Sequence, residues 1–361
     1  MRRMFVFFLI LVLLTACLPA CAATEPAEIF EAPKQVVVTF VGDCTLGNTP
    51  IERLRKTSSF EYYIEEYGME YPFDNVLNIL LRDDLTVANL EGVFYNHEAN
   101  KANKTYNFRS SVDHAQILNL ASIEAVSIAN NHILDYGVKG QSTTIEALET
   151  QGIAWFGTNE YANGTYIFEK DGIKIGFVAM YASYMNSTDR LDKMKANVKK
   201  MRADGCQVIV ACMHGGVEYD PLHDRNQEIL ADRLIGYGAD IIIGHHPHVI
   251  QGMRVATGRT TLWSLGNFVF GGNSQLRTMD TFLAQFTFSF DESNTYLGHQ
   301  LNIIPAHVSG VSDHNNYQPV LVTGKDAQSV LAAIQKDSRP LRLRPYVDGV
   351  GAVQEFVPAA K

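Results

Sequence analysis

The sequence predicts an α/β sandwich: central mixed β-sheets flanked by helices. Three observations lead there. Short apolar runs recur along the chain, each stopped by a glycine or a polar cluster. The runs are nearly continuous rather than alternating, as expected of strands buried on both faces. Helix-like stretches separate several of them, the order that builds helices onto sheets.

In chain order, residues 36–41 form the first run and end in Gly42-Asp43. Residues 75–82 read as a helix. Residues 85–88 form a strand ending in Asn89-Leu90-Glu91-Gly92, and residues 125–129 one ending in Asn130-Asn131-His132. A helix is expected at 141–151, a strand at 174–180 and a helix at 190–202. The strand at 208–213 runs into His214-Gly215-Gly216. A helix at 225–237 precedes a strand at 241–243 that ends in Gly244-His245-His246. Residues 261–265 end in Gly266-Asn267, with further strands at 281–290 and 297–304. The Tyr- and Glu-rich stretch 59–71 reads as an amphipathic helix, with a lid as the alternative. The folded body spans 35–323, and 324–361 add a helix, a last strand and a tail that pack on the same domain.

The start of the chain reads as a targeting segment. Arg2 and Arg3 precede an unbroken apolar run at 4–14, the length of a signal peptide core rather than of a membrane span. Leu14-Thr15-Ala16-Cys17 resembles a bacterial lipobox, so residues 1–16 are expected to be removed and Cys17 lipidated. Cleavage within Ala20-Cys21-Ala22-Ala23 and secretion is the alternative. Residues 17–34, rich in Ala, Pro, Glu and Thr, would be a flexible tether. Either route exports the protein, and the first places it on the cell membrane, facing outward. Cys44, Cys206 and Cys212 suit small buried apolar positions better than a disulfide framework.

The formal charge is -9 with histidine neutral. This does not suit a broad basic face and so disfavours nucleic acid as partner. Small phosphorylated molecules remain open, because a bound cation can supply the positive charge.

The chemistry lies just beyond the apolar runs. Asp43, Glu91, Asn131, His214, His246 and His248 all come just after strand ends, where open α/β sheets bind ligands. Carboxylate, amide oxygen and imidazole together suit a divalent Zn, Mn or Fe ion. Asp43 and Asn131 taken singly also suit turn and capping positions. His246 and His248 flank a proline, which packing explains poorly. Arg109 would either pair with a substrate carboxylate or phosphate, or form a surface salt bridge. Glu218 and His245 are candidates to support a ligand from behind. His114 and His223 read as surface histidines.

Six motifs in order carry a resemblance: Gly42-Asp43; Asn89-Leu90-Glu91; Asn130-Asn131-His132 with Asp135 and Gly137; His214-Gly215-Gly216-Val217-Glu218; Gly244-His245-His246-Pro247-His248-Val249; and Ser264-Leu265-Gly266-Asn267-Phe268. The series resembles the CapA family of poly-γ-glutamate capsule synthesis proteins, similar in layout to calcineurin-like metallophosphatases. The resemblance implies one or two divalent ions. Asp43 and His248 would hold the first ion and Asn131, His214 and His246 the second, with Glu91 at the bridging position. His132 would be a catalytic histidine oriented by Asp135, and water activated by the cation the nucleophile. Thr45 stands where the phosphatases place a histidine, so the first ion would be held by fewer ligands. The resemblance thus implies metal-dependent hydrolysis of a phosphorylated small molecule or an envelope polymer, with capsule synthesis and export proteins as partners. A non-catalytic polymer-assembly factor is the alternative.

Overall fold

The computed structural model describes residues 32–157, 164–272, 276–338 and 343–360. Chain contacts divide the protein into units of 1–32 and 33–361, and every element below belongs to the second. The predicted signal peptide, the Cys17 lipidation site and nearly all of the tether lie outside the described residues. No helix among the described residues is long and apolar enough to cross a membrane.

The main strands are β1 (Lys34–Cys44), β2 (Leu85–Leu90), β3 (Ala125–Ser127), β4 (Ala154–Phe156), β5 (Tyr166–Lys170), β6 (Ile173–Tyr181), β7 (Val208–His214), β8 (Ile241–His245), β9 (Met253–Ala256), β10 (Arg259–Leu262), β11 (Asp280–Phe290) and β12 (Tyr296–His307). The helices that flank them are α1 (Phe60–Tyr67), α2 (Gly137–Thr150), α3 (Thr188–Ala203), α4 (Arg225–Tyr237) and α5 (Gly324–Lys336). One sheet runs β12-β11-β1-β2-β3-β4, with short strands added along β12. The other runs β9-β10-β8-β7-β6-β5. Within the first, β1 to β4 are parallel and β11 and β12 antiparallel; within the second, β6, β7, β8 and β10 are parallel.

The continuous apolar runs are explained by double-sided burial. Side chains of a strand alternate between its faces. Val36, Val38 and Phe40 of β1 meet Phe177, Val210, Ile241 and Ile243 of the other sheet in one core. The intervening Ile209, Ala211 and Ile242 face Met194, Val198 and Leu234 of α3 and α4. On the far side, Ala88, Leu90 and Val126 pack beneath α1 and α2. Helices therefore cover the outer face of each sheet, and the predicted sandwich holds.

Differences are local. The helix expected at 75–82 is only the single turn Leu77–Leu80, because Asp83 and Asp84 already lead into β2. The strand expected at 261–265 is β10, shifted towards the N-terminus, and its last residues turn away to meet Asp43 through Gly266 and Asn267. Cys44, Cys206 and Cys212 are free and buried.

Helix α4 begins in a capping box. The Asp224 side chain accepts from the Gln227 backbone N–H, and the Gln227 side chain returns to the Asp224 backbone. Asp224→Ala is expected to lower stability by about 1 kcal/mol, read as a lower urea midpoint at unchanged slope.

Candidate metal centre

Parallel strands of both sheets point their C-terminal ends to one place. Asp43 is the last residue but one of β1, Asn89 lies near the end of β2 and Glu91 just after it, Asn131 and His132 come after β3, His214 ends β7, and His245 to His248 come at and after the end of β8. Two glycines allow this convergence. A Cβ on Gly244 would lie 1.9 Å from the Trp263 carbonyl oxygen, and one on Gly42 would lie 2.1 Å from that of Gly266. His246 and His248 both hold positive φ, +100° and +58°. Such backbone costs about 1–3 kcal/mol per residue and gathers at functional sites.

Two ligand groups share one carboxylate. Glu91 joins His214 and His246 in the first, and Asp43 and His248 in the second. Within each group the ligand atoms lie within 4.8 Å of one another. The Asn131 Oδ1 is 2.8 Å from His214 Nε2, which is 3.1 Å from His246 Nδ1. The six residues named from sequence as metal ligands are thus brought together. Glu218, named as a support, forms a third group with His246 and His248, at ligand distance rather than behind it.

The electrostatics suit a cation. Both Glu91 oxygens are buried without a hydrogen-bond partner. Burial, with the charges of Asp43, Glu218 and Asp135 nearby, pushes its carboxyl well above the usual range. Burial also opposes the charge of Asp43, but hydrogen bonds from His245 and His248 outweigh it and hold that carboxyl well below its usual range. Burial drives His214 well down and His246 to about 4, so both imidazoles are neutral, the form that ligates metal. A buried carboxylate with no partner among neutral imidazoles fits a divalent ion.

Supporting residues lie behind these. His245 Nδ1 is 3.0 Å from Asp43 Oδ1, to which Asn89 also donates at 2.8 Å. Asn267 Oδ1 lies 2.9 Å from His248 Nδ1. Thr45 is no ligand: its hydroxyl donates to Gly47 O and accepts from Gly271 N.

His132 stands beside the cluster, its Nε2 3.8 Å from Glu91. Asp135 Oδ2 lies 2.7 Å from its Nδ1. Lys104 reaches the Asn131 carbonyl at 2.8 Å, His132 Nδ1 at 3.2 Å and the Asp135 carboxylate. Lys104 was invisible in the sequence because it sits in an irregular loop with no motif around it. Burial holds His132 below its usual value, opposed by Asp135 and reinforced by Lys104.

Arg109, His114 and His223 are placed as follows. Arg109 does not reach the cluster. Its guanidinium donates to the Tyr95 carbonyl and pairs with Glu98, so the salt-bridge reading is the one observed. His114 is buried against Ser110, and His223 stacks on Trp263 with ring centroids 4.2 Å apart. His114 is therefore no surface histidine, whereas His223 is half-buried, with its ring on Trp263 and its Nδ1 2.8 Å from Asp337.

A family model described as bacterial capsule synthesis protein PGA_cap matches residues 37–272. The chain is similar to the capsule biosynthesis protein CapA of Bacillus anthracis, 29% identical over 73% of this chain and 66% of that protein, a little under two thirds of its length. It is likewise 29% identical to the PGA biosynthesis protein CapA of Bacillus subtilis, over 77% of this chain and 74% of that one. Among solved structures it is similar to a purple acid phosphatase from yellow lupin, with a TM-score of 0.41 and 13% identity, covering 86% of this chain and 57% of that one.

Proposed function

Since the chain belongs to the PGA_cap family of bacterial capsule synthesis proteins, we propose that it is an exported lipoprotein whose metal centre hydrolyses bonds in an anionic envelope polymer or a phosphorylated precursor of one. The observation that carries this reading is the buried Glu91 carboxylate, shared by two ligand groups and otherwise unpartnered. Glu91, His214, His246 and Asn131 would hold one divalent ion, and Asp43, Glu91 and His248 a second. The Asp43, Glu91 and His248 set lacks a nitrogen ligand where Thr45 stands, so the set with His214, His246 and Asn131 is the tighter site. Bound there, the cation supplies Lewis-acid polarisation of the scissile group and acidifies water.

The chain's own residues do the rest. Asp135 accepts from His132 Nδ1, which fixes the ring and leaves Nε2 turned to the cluster. His132 passes a proton at Nε2 to or from the reacting group. Lys104 holds Asp135 and the Asn131 carbonyl together, and so keeps the histidine in register with the ligand beside it. Lipidation at Cys17 would keep the site at the outer membrane face, within reach of capsule synthesis and export proteins.

The test is metal content and phosphodiesterase activity of the soluble domain from Gln35. The first substrate is bis(p-nitrophenyl) phosphate, with Zn, Mn or Fe. His132→Ala is expected to keep its metal and lose about 10²- to 10⁴-fold in turnover. Failure of the wild type to bind any of these ions in a folded state would overturn the hydrolase and leave an assembly factor. Equal turnover in wild type and His132→Ala would remove the assigned role of that histidine.

A further inference from the structure

The hydrolytic scheme leaves one carboxylate at the cluster without a task. Glu218 joins His246 and His248 in a group whose ligand atoms lie within 4.8 Å of one another. Each of these histidines also belongs to a group built on Glu91, His246 together with His214 and His248 together with Asp43. Two carboxylates therefore share one pair of histidines. Glu91 is fully buried, whereas Glu218 is exposed and lines the cleft that also holds His132 and Arg277. The first closes the floor of the centre and the second its solvent face.

The backbone beside Glu218 is fixed. The Tyr219 N–H donates to the Pro247 carbonyl at 2.7 Å, which ties this loop to the residue between the two histidines. Tyr219 holds a positive φ of +62°, and its ring packs against His248 at 5.9 Å. The Glu218 side chain, by contrast, makes no hydrogen bond and no ion pair among the described residues. Arg277 lines the same cleft, but its guanidinium lies over the Tyr219 ring at 4.2 Å. The charge of Glu218 is felt at Glu91 and at His246. Two carboxylates this close, with no cation between them, repel. A divalent ion removes that repulsion, and an arriving oxyanion restores it. A carboxylate on a fixed backbone with an unheld side chain can leave and return without rearranging the loop.

We propose that Glu218 is a displaceable metal ligand. It closes the solvent face of the centre at rest and gives up its place to a substrate oxyanion. This rests on the metal-centre reading and deepens it by assigning the position that the substrate must take. Glu218 strengthens metal binding, while its negative charge opposes the anion that replaces it. Removing it therefore has two effects of opposite sign, which a residue that only shapes the loop would not produce.

The test uses Co²⁺, which enters such nitrogen and oxygen sites and reports its ligands through visible absorption, with inorganic phosphate as the oxyanion. Glu218→Gln should bind Co²⁺ about tenfold more weakly. At saturating Co²⁺ it should bind phosphate about fivefold more tightly, the size of one unit charge's repulsion at contact distance in water. Without phosphate the Co²⁺ spectra of the wild type and Glu218→Gln should differ. With phosphate saturating they should coincide, because the wild-type carboxylate has left. Glu218→Asp is one methylene shorter and keeps the charge, so it should share the weaker Co²⁺ binding but not the tighter phosphate binding. Asp220→Asn, an exposed acid two residues on and in no ligand group, should change neither. Identical spectra without phosphate, weaker phosphate binding by Glu218→Gln, or spectra that still differ at saturating phosphate would overturn the displaceable ligand and leave the metal centre standing. Folded wild type that binds no Co²⁺ would overturn the metal centre itself, and this inference with it.

Discussion

Glu91→Gln is expected to abolish stoichiometric metal binding while leaving the metal-free protein at least as stable as the wild type. Glutamine has nearly the same shape but cannot supply the shared negative charge. Losing it removes a ligand from both groups at once. The loss of affinity should exceed the roughly 10- to 100-fold that removal of an outer hydrogen-bond partner costs a metal site. Stability should move the other way. In the metal-free protein the carboxylate is buried with both oxygens unpartnered, and burial raises its pKa well above the usual value. The folded state then holds a proton that the unfolded chain gives up. The contribution of this carboxyl to the stability of the metal-free wild type should fall as pH rises above the ordinary carboxylate range, through the raised value. Glu91→Gln lacks that loss, so its stability advantage over the wild type should grow with pH across that window, on top of the rise that the lowered pKa values of His214 and His246 give to both proteins. Metal analysis and urea titrations across pH, with a chelator present, measure both effects. A variant that keeps its metal would remove Glu91 from the bridging position. One that unfolds without metal would make the residue structural.

Gly244→Ala should be strongly destabilising. The new carbon would meet the Trp263 carbonyl oxygen at 1.9 Å, the Trp263 carbonyl carbon at 2.5 Å and the Leu262 oxygen at 2.8 Å. All three are backbone atoms, so no side chain can swing aside. Strand β8 must move away from the β10 segment, at the centre of a sheet and one residue before His245. A cost of about 3 kcal/mol or more is expected, at the upper end for overpacking. It should appear as a loss of thermal stability together with weaker metal uptake. Gly236→Ala, on α4 with nothing within 4 Å of an added carbon, is the matched control and should be near neutral.

The site was legible in sequence where it lies at the ends of buried strands. Asp43, His214, His246 and His248 stand out because a polar residue ends an apolar run, and that boundary is also what places them on the sheet edge. Glu91 came from motif order rather than from any property of its own stretch. The supporting layer was less visible. Lys104, Tyr219 and Arg277 come from loops, and their positions depend on contacts between segments far apart in the chain. Lys104 is 27 residues from Asn131, whose carbonyl it holds. Arg109 shows the converse limit: an arginine following aromatic residues left a ligand role and a salt bridge equally open, and nothing local reveals that Glu98 and the Tyr95 carbonyl engage it. The sheet order was likewise beyond reach, since β11 returns to pair with β1 across most of the chain.

The ligands come from both sheets: Asp43, Glu91 and Asn131 from one, His214, His246 and His248 from the other. Each proposed ion would draw its ligands from both sheets and so act as a rivet through two plates. Prising the plates apart would mean releasing the ion, so its binding free energy adds directly to resistance against unfolding. Such a rivet would tie the working life of the protein to the metal content of its surroundings.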